Sequence, residues 1–120
     1  MITHIKFVNV ATKNQDRALA FYTEKLGFKV VTDQPFDETQ RWIELRVGGS
    51  DTRIVLFNSG QEVGGFFPGA LACDNVQKTY EELKAKGVEF ARPPFKDSHS
   101  DREYAILKDP DGNQLLISPR

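Results

Sequence analysis

Over Arg41–Val47, Trp42, Glu44 and Arg46 fall on one side of the chain and Ile43, Leu45 and Val47 on the other. This two-residue period belongs to a strand with two unlike faces. Shorter β-branched or apolar runs predict further strands at Ile5–Val10, Phe28–Thr32 and Arg53–Phe57. Between the first two, Ala18, Leu19, Tyr22 and Leu26 make one helical stripe with Phe21 beside it, over about Gln15–Leu26. Asn14 can cap that helix, with Asp16 near its positive end, and Gly27 follows where a left-handed residue commonly closes a helix.

The same order then repeats. Phe66–Cys73 reads as a strand, Asp74 with Gln77 as a capping box, and Val76, Tyr80 and Leu83 as a helical stripe ending at Lys86–Gly87. Val88–Ala91, Glu103–Leu107 and Gln114–Ser118 supply three more strands. Gly27 and Gly87 are sixty residues apart, each between a helix and an apolar strand start, which points to an internal duplication. The expected modules cover about residues 1–60 and 64–120 of one domain. Asp109-Pro110-Asp111-Gly112-Asn113 reads as a hairpin turn, because it lacks the alternating oxygen ligands of a calcium loop.

Composition narrows the function classes. The chain has 120 residues, 39% hydrophobic and 28% charged, with a net charge of −1 and no basic run suited to nucleic acid or anionic lipid. No apolar stretch is long enough for a membrane span, and no secretion signal is read at the start. The single cysteine, Cys73, cannot form an intrachain disulfide, so a cytoplasmic location is expected, with Cys73 as an inert core thiol. Ser98 beside His99 lacks a nucleophile elbow, and Gly64-Gly65 precedes a strand where a phosphate loop would precede a helix.

Two βαβββ modules, the segment Phe21-Tyr22-Thr23-Glu24-Lys25-Leu26-Gly27-Phe28 and the 109–113 turn together resemble the vicinal oxygen chelate superfamily of glyoxalases, bleomycin-resistance proteins and dioxygenases. The resemblance implies an α+β fold in which two curved sheets face each other across a cleft, with the helices outside. It also implies a homodimer. Metal-using members place His, Gln or Glu on four strands, where a divalent ion polarises the substrate. Counting from the matching motifs puts those positions at Phe7, Val55, Pro68 and Leu116, none of which can donate to a metal. A slip of one residue gives Lys6, Val8, Ile54, Leu56, Phe67, Gly69, Leu115 and Ile117, still without a ligand set. Neither metal nor cofactor is therefore expected.

For the implied cleft, alternation selects Phe7 and Asn9, then Arg53, Val55 and Phe57. Trp42, Glu44 and Arg46 join them, since Ile43, Leu45 and Val47 make the better surface against a helix. Pro68, Ala70 and Ala72 form a low floor, and Tyr104, Ile106 and Leu116 follow from the last strands. His4 is expected at the surface, on the opposite side from Phe7, whereas His99 lies in a polar loop that could touch a ligand. The candidate ligand-binding residues are Phe7, Asn9, Trp42, Glu44, Arg46, Arg53, Phe57, His99, Tyr104 and Leu116, with no catalytic residue assigned.

Glu44 and Arg46 read either as an ion pair at the rim or as a ligand-binding pair, in which Arg46 or Arg53 holds an anionic group while Trp42 stacks on a ring. Burial could also raise the pKa of Glu44 toward neutral pH, where it would serve as a general base. Three functions follow: a metal-independent protein binding an aromatic or amphipathic small molecule, a glyoxalase-like lyase, isomerase or dioxygenase relative with displaced ligands, and a dimeric interaction module with a filled cleft.

Overall fold

A computed structural model describes all 120 residues. The chain forms two compact units, Met1–Val63 and Gly64–Arg120. The first contains β1 (Phe7–Val10), α1 (Gln15–Ala20) continued by a π-helical turn (Phe21–Lys25), β2 (Lys29–Pro35), β3 (Arg41–Arg46) and β4 (Arg53–Leu56). The second contains β5 (Phe66–Cys73), α2 (Val76–Ala85), β6 (Glu89–Lys96), β7 (Glu103–Lys108) and β8 (Gln114–Pro119). Each unit holds one four-stranded sheet, in the orders β1-β4-β3-β2 and β5-β8-β7-β6. The fold is α+β, and no helix is long and apolar enough to cross a membrane.

The repeat extends to local chemistry. Asn14 Oδ1 accepts from the Arg17 N–H at 3.0 Å, and Asn75 Oδ1 accepts from the Lys78 N–H at 2.9 Å. Both side chains thereby satisfy an orphan donor at a helix start. Gly27 and Gly87 take φ of +75° and +88°, the left-handed conformation in which glycine alone carries no Cβ penalty. Asn75, and not an Asp74–Gln77 capping box, is thus the second cap; Asp74 pairs with Arg120 at 3.3 Å, and Gln77 donates to Glu81.

The first helix departs from a regular α-helix to Leu26. Thr23 Oγ1 donates to the Leu19 carbonyl at 2.7 Å, and the chain widens into the π-type turn. A hydroxyl bonded back to the preceding turn competes with the regular ladder in this way. The first strand begins at Phe7 and leaves Ile5 exposed, while β2 and β6 run on to Pro35 and Lys96. Cys73 is half-buried at the end of β5, less enclosed than a core thiol.

In the first unit α1 packs on β4, and Ile43, Leu45, Ile54 and Leu56 on the alternating positions are buried together with Ala18, Phe21 and Tyr22. This places Trp42, Glu44 and Arg46 on the opposite sheet face, with Phe7, Asn9 and Arg53. In the second unit α2 packs on β6, β7 and β8, over Ala105, Leu107, Leu115 and Ile117. Tyr104, Ile106 and Leu116 take the other face by register.

Gln15 ties the first unit together. Its Nε2 donates to the carbonyls of Arg41 (2.7 Å) and Leu56 (2.8 Å), and its Oε1 accepts from the Arg41 N–H (2.9 Å). One carboxamide thus pins the start of α1 to β3 and the end of β4. Truncation leaves these part-buried backbone groups without partners, so Gln15→Ala should lose about 2–3 kcal/mol of stability. Urea unfolding of the two proteins measures the difference, and a loss within error of zero contradicts the pinning role.

Candidate functional site

The face of the first sheet opposite α1 gathers four aromatic rings. Phe7 meets Trp42 edge-on with ring centroids 5.5 Å apart, and Trp42 lies 5.1 Å from Phe57. Phe36, from the β2–β3 turn, completes the group at 6.0 Å from Trp42 and 4.9 Å from Phe57. These separations lie within the range of favourable aromatic pairs.

Beside the rings, one carboxylate holds two donors. Trp42 Nε1 donates to Glu44 Oε2 at 2.8 Å, and Arg53 Nη1 donates to Glu44 Oε1 at 2.9 Å. Trp42 and Glu44 are two residues apart on β3, so the pleat brings them to one face. Arg53 reaches across from β4, where its Cα partner is Arg46. The ion pair foreseen for Glu44 therefore forms with Arg53, and Arg46 stands exposed farther along β3.

Glu44 is only 8% exposed, yet its pKa is lowered. The indole hydrogen bond is the largest cause and the Arg53 hydrogen bond the next. Together they outweigh burial, with smaller help from the charges of Arg53 and Lys6. The raised pKa considered for Glu44 is not found: both oxygens accept hydrogen bonds that favour the anion and lower its proton affinity. Val55, a register neighbour of Glu44 and Asn9, is fully buried on the same face.

The other candidates are placed as follows. Asn9 Nδ2 donates to the Phe57 carbonyl and to Gln61 Oε1, both at 3.4 Å. Phe7, Asn9, Trp42, Glu44, Arg53 and Phe57 thus form one neighbourhood in the first unit. Tyr104 and Leu116 belong to the second unit, half-buried on β7 and β8, where Tyr104 lies 6.0 Å from Phe95. His99 is exposed in the turn after β6, and its backbone N–H donates to Asp97. His4 precedes β1, so strand alternation does not govern it; it is exposed, with its ring 2.9 Å from the Thr3 hydroxyl.

Periodicity does not reveal Phe36, since it lies beyond the expected strand end at Thr32. The available signal is the polar run Asp37-Glu38-Thr39-Gln40 before an alternating strand, a turn with an aromatic at its edge. Gln15 likewise reads in the sequence as an ordinary helix-start residue.

Comparison with known proteins settles the family. The model of the glyoxalase/bleomycin resistance protein/dioxygenase superfamily matches residues 2–117. The chain belongs to this superfamily. It is 32% identical over 120 residues to the uncharacterized protein YetH of Bacillus subtilis (strain 168), covering 98% of each chain. It is 34% identical over 115 residues to a probable chloroplastic lactoylglutathione lyase of Arabidopsis thaliana, covering 89% of this chain but 33% of that enzyme. Among solved structures, TnmS3, an antibiotic binding protein from Streptomyces sp. CB03234, superposes with a TM-score of 0.84 at 29% identity, covering 98% and 96% of the two chains.

Membership raises the question of a divalent ion. The four positions that the resemblance assigns to ligands carry Phe7, Val55, Pro68 and Leu116, and no three His, Cys, Asp or Glu side chains gather where they could hold a metal. These residues do not fit the group: hydrocarbon side chains offer no lone pair to replace the water of a divalent ion.

Because the Glu44 pKa is lower in the folded chain than in the unfolded one, its contribution is present above the unfolded carboxylate value and lost as pH falls through the folded value. Glu44→Gln should cost about 2 kcal/mol at neutral pH, because it removes the charge from a hydrogen-bonded, largely buried pair. The gap from wild type should narrow as pH is lowered below about 4. Denaturant midpoints recorded across that range test both the size and the sign; a gap that widens in acid contradicts the assignment.

Proposed function

We propose that this chain is a metal-independent binding protein whose ligand is a flat aromatic or amphipathic small molecule laid against Phe7, Trp42 and Phe57. The observation that carries the reading is the indole of Trp42, fixed by Glu44 within a group of aromatic rings. A held ring needs little ordering when a ligand stacks on it, and that lowers the entropic cost of binding. Apolar walls with a few fixed polar groups are the usual composition of a small-molecule site. Asn9, Glu44, Arg46 and Arg53 are its proposed polar members. The Glu44–Arg53 pair is internally neutralised, which suits an uncharged ring system, and the exposed Arg46 suits an acidic substituent at its margin.

The antibiotic-binding description of TnmS3 supports a binding role. The lyase name of the Arabidopsis relative supports the second reading, a glyoxalase-like lyase or isomerase with displaced ligands. The donor-free positions favour the first. His99, Tyr104 and Leu116 are proposed as further contacts to be tested apart from the aromatic group. We also propose that the two units are modules of one domain, that the protein is a cytoplasmic homodimer, and that it requires no cofactor.

A library of aromatic compounds, screened by thermal shift in EDTA, should yield ligands that raise the melting temperature. Calorimetry should then show Trp42→Ala weakening them about thirtyfold, the effect of removing a central aromatic anchor worth about 2 kcal/mol. Stabilisation only after addition of Zn²⁺ or Ni²⁺, with stoichiometric metal in the complex, supports the lyase reading instead.

A further inference from the structure

Phe36 lies outside the alternation that selects the other site residues, yet its ring joins them. Phe36, Trp42 and Phe57 form a closed triangle of rings, with separations of 6.0, 4.9 and 5.1 Å. The Phe36 and Trp42 planes are inclined by only 32°, while Phe36 meets Phe57 edge-on at 78°. At 58% exposure, Phe36 still has much of its surface free.

The backbone beneath it is tied down. Asp37 Oδ1 accepts from the Thr39 N–H (2.8 Å), the Thr39 hydroxyl (2.8 Å) and the Gln40 N–H (3.0 Å). The N–H groups of Phe36 and Asp37 both donate to the Gln40 carbonyl, at 3.1 and 3.2 Å. Gln40 then grips Asn58 reciprocally: its Nε2 donates to the Asn58 carbonyl and its Oε1 accepts from the Asn58 N–H, each at 3.0 Å. Asn58 follows Phe57, so the turn is fastened next to the ring that Phe36 touches. An exposed phenylalanine on a loose turn would serve poorly as a wall; on a fastened turn its position is defined.

We propose that Phe36 is the specificity-determining residue of the aromatic face, the wall that limits how wide a fused-ring ligand can lie against Trp42. Asp37 and Gln40 are its positioning residues. The proposal rests on the reading of this face as a ligand site. A two-ring ligand laid on the Trp42 indole packs its edge against Phe36. A three-ring ligand meets the wall and must displace it. Making or breaking one aromatic pair changes affinity by about two- to tenfold.

Calorimetry with 2-naphthol and 9-anthracenemethanol reads the selectivity. Phe36→Ala should shift the affinity ratio about tenfold toward the three-ring probe, because the smaller probe no longer has a ring to pack on and the larger one no longer meets an obstruction. Phe36→Tyr should keep the wild-type ratio. Asp37→Ala, which retains the ring but frees the turn, should move the ratio part of the way.

A second readout needs no ligand. Trp42 is the sole tryptophan, so emission reports its surroundings alone. Phe36→Ala should shift that emission to the red and increase quenching by acrylamide, with little change in the melting temperature because Phe36 is largely exposed. Failure of the wild type to bind either probe overturns the ligand-site reading and the selectivity claim with it. Binding by the wild type with an unchanged ratio in Phe36→Ala overturns the role of Phe36 alone, as does unchanged Trp42 emission.

Discussion

One carboxylate fixes the geometry of the candidate site. Glu44 is largely buried on a sheet face, and a buried carboxylate is costly unless both oxygens find donors. Here the indole of Trp42 satisfies one and the guanidinium of Arg53 the other. The arrangement uses only strand geometry, since Trp42 and Glu44 share a face of β3 and Arg53 lies on adjacent β4. Its result is a tryptophan that cannot turn freely, with aromatic neighbours seated around it. The lowered pKa of Glu44 follows from the same two bonds.

The duplicated fold serves this site by dividing labour between sheet faces. The face against α1 takes the branched aliphatics and excludes water, leaving the opposite face available for chemistry. Metal-using members of the superfamily devote such faces to chelation. In this chain the positions that the resemblance assigns to ligands hold side chains without donor atoms, and the carboxylate of Glu44 is occupied by Trp42 and Arg53. In the proposed function such a face recognises shape and π-surface, interactions that need no ion and impose modest directional demands.

Much of the architecture is legible in the sequence because it rests on local signals. The two asparagine caps and two left-handed glycines recur at matched points, though the second cap is Asn75 and not the acidic residue before it. Alternation in β3 separates Ile43 and Leu45 from Trp42 and Glu44 correctly, because the strand has one aliphatic and one polar-aromatic side. Partner choice is less legible. Arg46 and Arg53 look equivalent in the sequence, and only the cross-strand register decides that Arg53 reaches Glu44. Phe36 and Gln15 stay hidden for a related reason. Each acts through contacts to residues distant in the chain, and no periodicity records such contacts. The widened end of the first helix is also hidden, since Thr23 is as compatible with a regular turn as with a back-bonded one.

The claim that Trp42 is the anchored stacking surface of a metal-free site is most directly tested by nuclear magnetic resonance on its single indole. A ¹H–¹⁵N and aromatic ¹H–¹³C titration with 2-naphthol in EDTA should move the indole ring protons upfield. The Nε1–H resonance should persist, still bonded to Glu44. Indole ring signals that do not respond until Zn²⁺ or Ni²⁺ is added, or an Nε1–H that exchanges freely with water before any ligand is present, would contradict the account.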